Sequence, residues 1–197
     1  MPRCGGTSFE VKFKLNRRQN LHGVVKRDRR VLTLHHLTPM QLLENSFVTE
    51  QEFESYFKFA VIRDPFDRMA SDYCWQKRLR RPNQVTDMSF EQYLDLAEGV
   101  IRENRFEEKV YLDHFRPITD FCLLEGQLVM DDVLRLETLD TEIHRIAGVL
   151  GEAELPHLNH VLDYEHLRTE VNYARVYELY ACDRLLCDNI DVLLGKD

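Results

Sequence analysis

The sequence predicts an α/β fold in which helices cover both faces of a central parallel sheet, giving three layers. The first observation behind this prediction is that short apolar runs, typical of buried strands, alternate with segments that have helix-start signals. The second is that polar or charged residues follow each run directly, at the end of the strand where open α/β sheets bind their ligands. The runs are residues 31–34, 59–62 and 133–136.

Helix starts are predicted at three capping-box sequences. Thr38, Thr49 and Ser89 are each followed three residues later by Gln or Glu, so that the two residues can satisfy each other's free backbone N–H groups. Pro39, directly after Thr38, also suits the first position of a helix. We therefore expect a helix to begin after each of the three capping residues.

Two further segments are less uniform. Residues 173–190 have apolar side chains at helical spacing, which predicts one long C-terminal helix with Gly195 as its stop. Residues 9–15 alternate between apolar and polar, which is the period of a strand, whereas a helix is expected if the preceding loop binds phosphate. Periodicity leaves both structures open for this segment.

Length, composition and charge limit the class of protein. The chain has 197 residues, which favours a single domain over 1–197, and its 44% hydrophobic and 30% charged content exclude collagen-like, disordered and membrane-spanning classes. With 26 Lys and Arg against 34 Asp and Glu, the net charge is −8, which argues against a nucleic-acid partner bound through bulk charge. The five cysteines are scattered with no C-x-x-C spacing, so we expect reduced thiols rather than a disulfide framework or a structural zinc site.

A glycine-containing segment at the start of the chain, Pro2-Arg3-Cys4-Gly5-Gly6-Thr7-Ser8, is a candidate anion-binding loop. Its two glycines let backbone N–H groups approach an anion closely, and its two hydroxyls add hydrogen-bond donors. The segment is not a Walker A sequence, since no lysine precedes a magnesium-binding Ser or Thr. On composition alone, a flexible N-terminal tail is an equally good interpretation.

The junction after residues 59–62 is a second candidate anion site. Arg63 leaves the predicted strand, Asp64 can cap a following helix, and Pro65 suits its first position. Ser71 lies about two turns along that helix, so that a guanidinium and a hydroxyl could together bind one phosphate. The alternative, which is the more common one on composition alone, is a structural ion pair between Arg63 and Asp64.

The residues from Arg63 to Tyr73, in the order Arg-Asp-Pro-Phe-Asp-Arg-x-x-Ser-x-Tyr, resemble the 3′-phosphate-binding signature of PAPS-dependent sulfotransferases. The resemblance is to the carbohydrate (Golgi-type) sulfotransferase family and its bacterial relatives, and residues 2–8 resemble that family's 5′-phosphosulfate loop. Three further segments follow in the family's order. They are His114-Phe115-Arg116-Pro117 with Cys122 downstream, Arg135-Leu136-Glu137-x-Leu139, and Pro156-His157-Leu158-Asn159.

The resemblance implies a P-loop-like α/β fold that binds 3′-phosphoadenosine 5′-phosphosulfate (PAPS) as the sulfuryl donor. Because the loop begins at residue 2, we expect the first strand of that fold to be missing or truncated. The donor-binding residues that the resemblance implies are Arg3, Cys4, Gly5, Gly6, Thr7 and Ser8 for the 5′-phosphosulfate, and Arg63 and Ser71 for the 3′-phosphate. The sulfuryl group would move to a hydroxyl or amine of an acceptor, which we expect to be a glycan or a small hydroxyl compound.

The transfer requires a base that takes the acceptor's proton, and imidazole titrates in a suitable range. His36 is the candidate, since a histidine at this place resembles the base of uronyl 2-O-sulfotransferases, and His35 is the alternative. Without the resemblance, packing or solvated roles for the two histidines are the simpler interpretation. Arg3 stands where the family usually has lysine, so it can stabilise charge on the departing phosphate but is a poor proton donor. We expect no metal.

Other functions and locations stay open on the sequence. A P-loop kinase acting on a nucleotide or small molecule is disfavoured by the absent Walker lysine, and a catalytically inactive nucleotide-binding relative is the other alternative. Basic clusters at 26–30 and 77–81 could contact an anionic glycan, although solvated surface is their commoner role. We expect a cytoplasmic protein if the chain is bacterial and complete, and one in the Golgi lumen if an N-terminal anchor is missing.

Overall fold

The computed structural model describes residues 1–15, 21–79, 85–151, 154–156, 158 and 163–196, and within them it has ten α-helices and six short strands. The strands are β1 (Val24–Arg27), β2 (Arg30–Thr33), β3 (Phe59–Ile62), β4 (Leu123–Leu124), β5 (Gln127–Leu128) and β6 (Asp132–Arg135). The helices are α1 (Gly6–Phe13), α2 (Pro39–Glu44), α3 (Glu50–Ser55), α4 (Pro65–Arg78), α5 (Phe90–Arg102), α6 (Thr119–Cys122), α7 (Leu139–Glu142), α8 (Ala147–Leu150), α9 (Glu170–Leu179) and α10 (Ala181–Leu193). Short 3₁₀ turns connect several of these elements, among them Leu34–His36 and Leu112–Phe115.

A parallel pair of strands, β3 and β6, lies at the centre of the molecule. Side chains alternate along a strand, so the pair presents two apolar faces. Ala60, Ile62 and Val133 pack in one buried cluster with residues of α6 and α10, whereas Val61 and Leu134 pack in another with residues of α1 and α7. The predicted arrangement, with helices on both faces of a parallel sheet, is confirmed.

The apolar run at 31–34 forms a strand, but its predicted place in the parallel sheet was wrong. β2 pairs antiparallel with β1 in a separate hairpin, in which Arg27 lies opposite Arg30. The two turn residues, Asp28 and Arg29, have φ angles of 48° and 68°, the left-handed conformation that a two-residue hairpin turn requires. Because neither residue is glycine, the sequence has no clear signature of this turn.

The predicted helix starts are confirmed. Thr38, Thr49 and Ser89 each accept a hydrogen bond from the backbone N–H three residues on, and the Gln or Glu there accepts one from the capping residue's own N–H. Asp64 caps α4, with its Oδ1 3.0 Å from the N–H of Asp67. Caps of this kind contribute about 1 kcal/mol each and need only neighbouring residues, which is why the sequence predicts them well.

Residues 9–15, for which periodicity left strand and helix open, are helical as far as Phe13. Phe9 is buried, with its ring centre 6.2 Å from that of Phe13 and 5.6 Å from that of Phe59. Phe9 and Phe13 are four residues apart and share one helix face, so the same apolar residues suit a helix as well as a strand. Among the described elements α1 comes first and β1 follows it.

The predicted long C-terminal helix is two helices, α9 and α10, which meet at Tyr180. Tyr180 has φ −115° and ψ 39°, outside the helical range, and its buried hydroxyl donates to the carbonyl of Phe115 at 3.0 Å. This tertiary contact has no counterpart in the local periodicity. Gly195, with a φ of +65°, follows the end of α10 as predicted. None of the described helices is long and apolar enough to cross a membrane.

A buried charge pair joins α4 to α10. Arg68 is 1% exposed and Asp183 is fully buried, and Nη2 of the arginine lies 3.5 Å from the carboxylate. Nη1 of Arg68 also donates to the carbonyls of His114 and Arg116, both at 3.1 Å. Asp183 accepts the backbone N–H of Ile118 at 2.8 Å. The pair therefore fixes the chain segment before α6 against both helices.

We expect Asp183→Ala to lower the free energy of unfolding by about 3–5 kcal/mol, because it leaves Arg68 as an unpaired buried charge. Chemical denaturation measures the loss. Asp188→Ala is the matched control, since this carboxylate lies on the same helix, is 62% exposed, and should contribute less than about 0.5 kcal/mol. Equal stabilities of the two variants would show that the fold does not need Asp183 as the partner of the buried Arg68.

Candidate active site

Most of the predicted site residues line one cleft of about 1200 Å³, which adjoins the carboxyl ends of β3 and β6. They are Arg3, Gly5, Gly6, Thr7, Ser8, His35, His36, Arg63 and Ser71. Cys4 is the exception, because its side chain is 3% exposed and its Sγ lies 3.5 Å from the carbonyl of Pro2. Burial raises the pKa of the Cys4 thiol, so that only the backbone of this residue is available to a ligand.

The candidate anion-binding loop turns sharply before it enters α1. Arg3 and Gly5 have positive φ angles of 63° and 80°, and the N–H of Ser8 donates to the carbonyl of Gly5 at 2.9 Å. A Cβ at position 5 would lie 3.0 Å from Leu136, so glycine is needed there for both conformation and space. The first N–H groups of α1, from Gly6 onward, have no carbonyl partner within the helix, and its dipole is positive at this end. This geometry suits an anion.

Arg3 crosses from the loop to α4. Its Nη2 and Nε donate to Oγ of Ser71 at 2.9 and 3.3 Å, and its guanidinium lies 5.4 Å from the ring centre of Trp75. Burial lowers the pKa of Arg3, and the nearby Asp72 carboxylate opposes that shift. Since a guanidinium remains protonated at neutral pH, Arg3 is a fixed cation between the loop and α4.

Arg63 contacts the loop from the end of β3. Its Nη1 donates to the carbonyl of Arg3 at 3.2 Å, and its Nη2 donates to the hydroxyl of Tyr164 at 2.9 Å. Asp64 is engaged in capping α4, and the alternative Arg63–Asp64 ion pair is not formed in the described structure. Arg3 thus lies between Arg63 and Ser71, the two residues expected to hold one phosphate. Tyr164 was not predicted, because its partner is 101 positions away.

His36 is oriented by a carboxylate. Its Nδ1 lies 2.6 Å from Oδ2 of Asp113, which belongs to the 3₁₀ turn Leu112–Phe115 and is 7% exposed. Burial lowers the pKa of His36 to about 3, although Asp113 acts in the opposite direction. The imidazole is therefore neutral at pH 7, with Nδ1 engaged and Nε2 left to accept a proton. Its pKa lies below the near-neutral range on which the sequence-based choice of a histidine base rested, and burial is the reason.

His35, the alternative base, is more exposed and differently held. Its Nδ1 accepts the N–H of Gly23 at 3.5 Å, and its ring stacks on that of His22 with the centres 4.5 Å apart. Burial and the neighbouring His22 lower the pKa of His35 to about 4. Within the described residues, an orienting carboxylate at hydrogen-bond distance is found for His36 but not for His35. The geometry therefore favours His36 as the base.

A second imidazole–carboxylate pair, which the sequence did not predict, lies beside the first. Nδ1 of His114 is 2.7 Å from Oδ1 of Asp72 on α4, and both side chains are buried. The rings of His36 and His114 meet edge to face with their centres 5.0 Å apart. The adjacent residues Asp113 and His114 thus pair with different side chains, Asp113 with that of His36 and His114 with that of Asp72. The sequence indicated His114 only as part of a family segment, since Asp72 is 42 positions away.

In the part of the chain that the structure describes, two groups of side chains bring possible metal-ligand atoms within 4.8 Å of one another. They are His36 with Asp113 and His114, and Glu10 with His22 and His35. In the first group both imidazoles use Nδ1 for a carboxylate, and in the second His35 accepts a backbone N–H. These hydrogen bonds account for the clustering without an ion. The expectation that the site needs no metal stays a prediction.

The basic clusters lie away from the cleft as far as the structure describes them. Their described members, none of which lines the cleft, are Lys26, Arg27, Arg29, Arg30, Lys77 and Arg78. Arg30 pairs with Glu107, and Lys77 donates to the carbonyl of Met88 at 3.2 Å, both of which are surface contacts. Positions 80 and 81 of the second cluster lie outside the described residues, as do positions 157 and 159 of the last family segment.

A comparison with known protein families gives a match over most of the chain. The model of the sulfotransferase family matches residues 2–183, which include the loop, Arg63, Ser71 and both imidazole–carboxylate pairs. Searches of curated proteins and of solved structures found no match. Since the matched segment is most of the 197 residues, the chain belongs to the sulfotransferase family.

Proposed function

We propose that this sulfotransferase moves the sulfuryl group of PAPS to a hydroxyl of a carbohydrate acceptor, with His36 as the general base. Family membership supports sulfuryl transfer in general. The observation that supports the finer proposal is that the loop, the residues Arg63 and Ser71, and His36 all line one cleft. With a volume of about 1200 Å³, the cleft is large enough for a nucleotide and part of an acceptor.

The charges in the cleft favour an anionic donor even though the whole chain has a net charge of −8. Arg3 and Arg63 both line the cleft, and the positive end of α1 opens into it through Gly6 and Thr7. In our proposal the loop and α1 bind the 5′-phosphosulfate, while Arg63 and Ser71 bind the 3′-phosphate. A guanidinium suits the second role because its planar donors match phosphate oxygens in pairs.

The proposed reaction forms a bond between the acceptor oxygen and sulfur while the bond from sulfur to the 5′-phosphate oxygen breaks. The acceptor proton goes to Nε2 of His36, while Asp113 on Nδ1 fixes the ring orientation and stabilises the imidazolium that forms. The departing phosphate keeps the electron pair of the broken bond, and the Arg3 cation stabilises the charge that builds there. A positioned base of this kind contributes about 10²–10⁴-fold in rate.

Aromatic side chains support a carbohydrate as the acceptor. Trp75 and Tyr111 both line the cleft, and their rings meet nearly at right angles with the centres 5.6 Å apart. An aromatic face packs well against the C–H side of a sugar ring while the sugar hydroxyls stay free for polar contacts. Because the Trp75 ring already contacts Arg3 and stacks on His114, Tyr111 is the better candidate for such a contact. These rings flank His114, whose ring centre is 5.0 Å from that of the proposed base.

The donor assignment is tested by the thermal stability of the protein with nucleotides. We expect 3′,5′-ADP at a hundredfold excess over its Kd to stabilise the fold by about 2.7 kcal/mol, which raises Tm by roughly 5–10 °C for a chain of this size. A thermal-shift measurement should show a much smaller effect with 5′-AMP, which lacks the 3′-phosphate. Stabilisation by ATP with Mg²⁺ but not by 3′,5′-ADP would favour a kinase instead.

We expect Arg63→Ala to weaken binding of 3′,5′-ADP by about 10- to 100-fold, the loss of a charge-assisted contact worth roughly 1.5–3 kcal/mol. Binding of 5′-AMP should change much less, and calorimetry measures both affinities. Arg78→Ala, which removes an exposed arginine from α4 outside the cleft, is the matched control. A parent protein that binds the two nucleotides equally would contradict the 3′-phosphate assignment.

Replacing His36 separates catalysis from donor binding. We expect His36→Ala to lower kcat by about 10²–10⁴-fold, because the acceptor proton loses its base, while the affinity for 3′,5′-ADP is retained. Transfer of labelled sulfate from PAPS to a panel of glycans and small alcohols measures the rate. His35→Ala should have the smaller effect, and unchanged turnover of His36→Ala would assign the base elsewhere.

A further inference from the structure

We propose that His114 is a second catalytic residue, a buried imidazolium whose Nε2–H donates to an oxygen of the sulfuryl group in transit. This inference rests on the proposed sulfuryl transfer and adds a cation to it. His36 would act on the acceptor, His114 on the sulfuryl oxygens and Arg3 on the departing phosphate. The argument starts from the carboxylate that holds His114 in place.

Asp72 is buried in a site that needs a cation. Its carboxylate is 1% exposed and accepts hydrogen bonds from the hydroxyl of Tyr93 at 2.5 Å and from Nε2 of Gln76 at 3.3 Å. Both of these donors are neutral, and a buried carboxylate without a compensating charge costs several kcal/mol. His114, with Nδ1 at 2.7 Å from Asp72, is the ionisable donor in direct contact. The fold therefore stabilises a positive charge on His114.

Three rings pack against the ring of His114. It stacks on Trp75 with the centres 5.5 Å apart and the planes inclined by 18°, and it meets Tyr111 and His36 edge to face at 5.6 and 5.0 Å. Although His114 is only 5% exposed, it lines the cleft. Because Nδ1 is engaged by Asp72, Nε2 is the nitrogen left for a ligand.

The charged groups around His114 belong to three elements. Burial alone lowers the pKa of His114, but Asp72 of α4 and the adjacent Asp113 outweigh it and raise the pKa above its usual value, while Arg3 of the loop opposes them. Tyr111 and His36 also have titratable side chains against the ring, and the pKa of His36 is shifted the other way, to about 3. The environments of the two imidazoles in contact thus shift their pKa values in opposite directions, as in an acid–base pair.

The separation of the rings suits a reaction at one small group. In sulfuryl transfer, the entering oxygen and the three sulfuryl oxygens all surround one sulfur atom. A base on the entering oxygen and a donor on a sulfuryl oxygen must therefore lie within a few ångströms of each other. The ring centres of His36 and His114 are 5.0 Å apart. A fixed donor that meets developing charge in a buried site contributes about 10²–10³-fold to the rate.

The test must separate this role from simple neutralisation of Asp72. His114→Gln removes the cation but leaves the carboxylate unpaired, so it lowers Tm as well as activity. The double variant Asp72→Asn with His114→Gln removes both charges, which restores most of the stability without restoring the cation. His144→Gln, at an exposed histidine that does not line the cleft, is the control.

We expect the double variant to bind 3′,5′-ADP and to have a near-parental Tm, but to transfer sulfate from PAPS with a kcat about 100-fold below that of the parent. In the parent, kcat should fall as pH rises through the raised pKa of His114, since the imidazolium is then lost. The double variant should lack this alkaline limb. His144→Gln should match the parent in rate and in pH profile.

Three outcomes would overturn the proposal. A double variant whose kcat is within threefold of the parent's would show that His114 is only the counterion of Asp72. An unchanged alkaline limb in that variant would assign the limb to another group.

The third outcome comes from a measurement on the parent protein. The imidazole ¹⁵N resonances of His114 should report a protonated ring, and the Nε2 signal should shift when 3′,5′-ADP and inorganic sulfate are added. A neutral ring would contradict the proposal. A parent enzyme that binds 3′,5′-ADP but transfers no sulfuryl group would instead refute the proposed function, and this role with it.

Discussion

The neutralisation of two opposite charges buried on α4 is the constraint on which the cleft depends. Arg68 and Asp72 lie one helical turn apart and are each 1% exposed, so both need partners from other elements. The same short stretch of chain serves both. The carbonyls of His114 and Arg116 accept from Arg68, and the imidazole of His114 pairs with Asp72. The 3₁₀ turn Leu112–Phe115 is therefore fixed against the middle of α4 by charge as well as by packing.

This constraint extends to the proposed base. Asp113, which orients His36, is the neighbour of His114 in the same turn, so that its position follows from the pairing of His114 with α4. His36 itself lies in the 3₁₀ turn Leu34–His36, directly after β2. The base, its orienting carboxylate and the candidate cation thus come from separate parts of the chain. The pairing of His114 with Asp72 fixes the turn against α4, and His36 contacts the neighbouring Asp113 of that turn.

The sequence predicted what neighbouring residues determine and missed what distant pairs determine. The starts of α2, α3, α4 and α5 were found because each cap needs residues at most three positions apart. The run at 31–34 was wrongly placed in the parallel sheet, because an apolar strand of four residues fits a parallel sheet and a hairpin equally well. The hairpin turn at Asp28 and Arg29 lacks the glycine that would have indicated it.

The same distinction holds within the site. The loop and the Arg63–Ser71 segment are contiguous sequences with recognisable residues, so the sequence alone predicts both as anion sites. His114 pairs with Asp72 across 42 positions, and Arg63 contacts Tyr164 across 101 positions. The sequence around Asp72 or Tyr164 gives no sign of either contact. Asp72 needs a cationic partner because it is buried. The burial of one carboxylate within a polar stretch of helix is a tertiary property, which the local sequence does not show.

Arginine in the loop, where the family usually has lysine, decides which groups can move protons. A guanidinium supplies charge but does not give up its proton near neutral pH, and Arg3 is further restrained by two hydrogen bonds to Ser71 and by the face of Trp75. In the proposed reaction, proton transfer therefore falls to an imidazole. Burial keeps His36 neutral although Asp113 opposes this, whereas Asp72 raises the pKa of His114 and so favours its cationic form. In the proposed site, charge stabilisation therefore belongs to Arg3 and His114, and proton transfer belongs to His36, which burial keeps neutral.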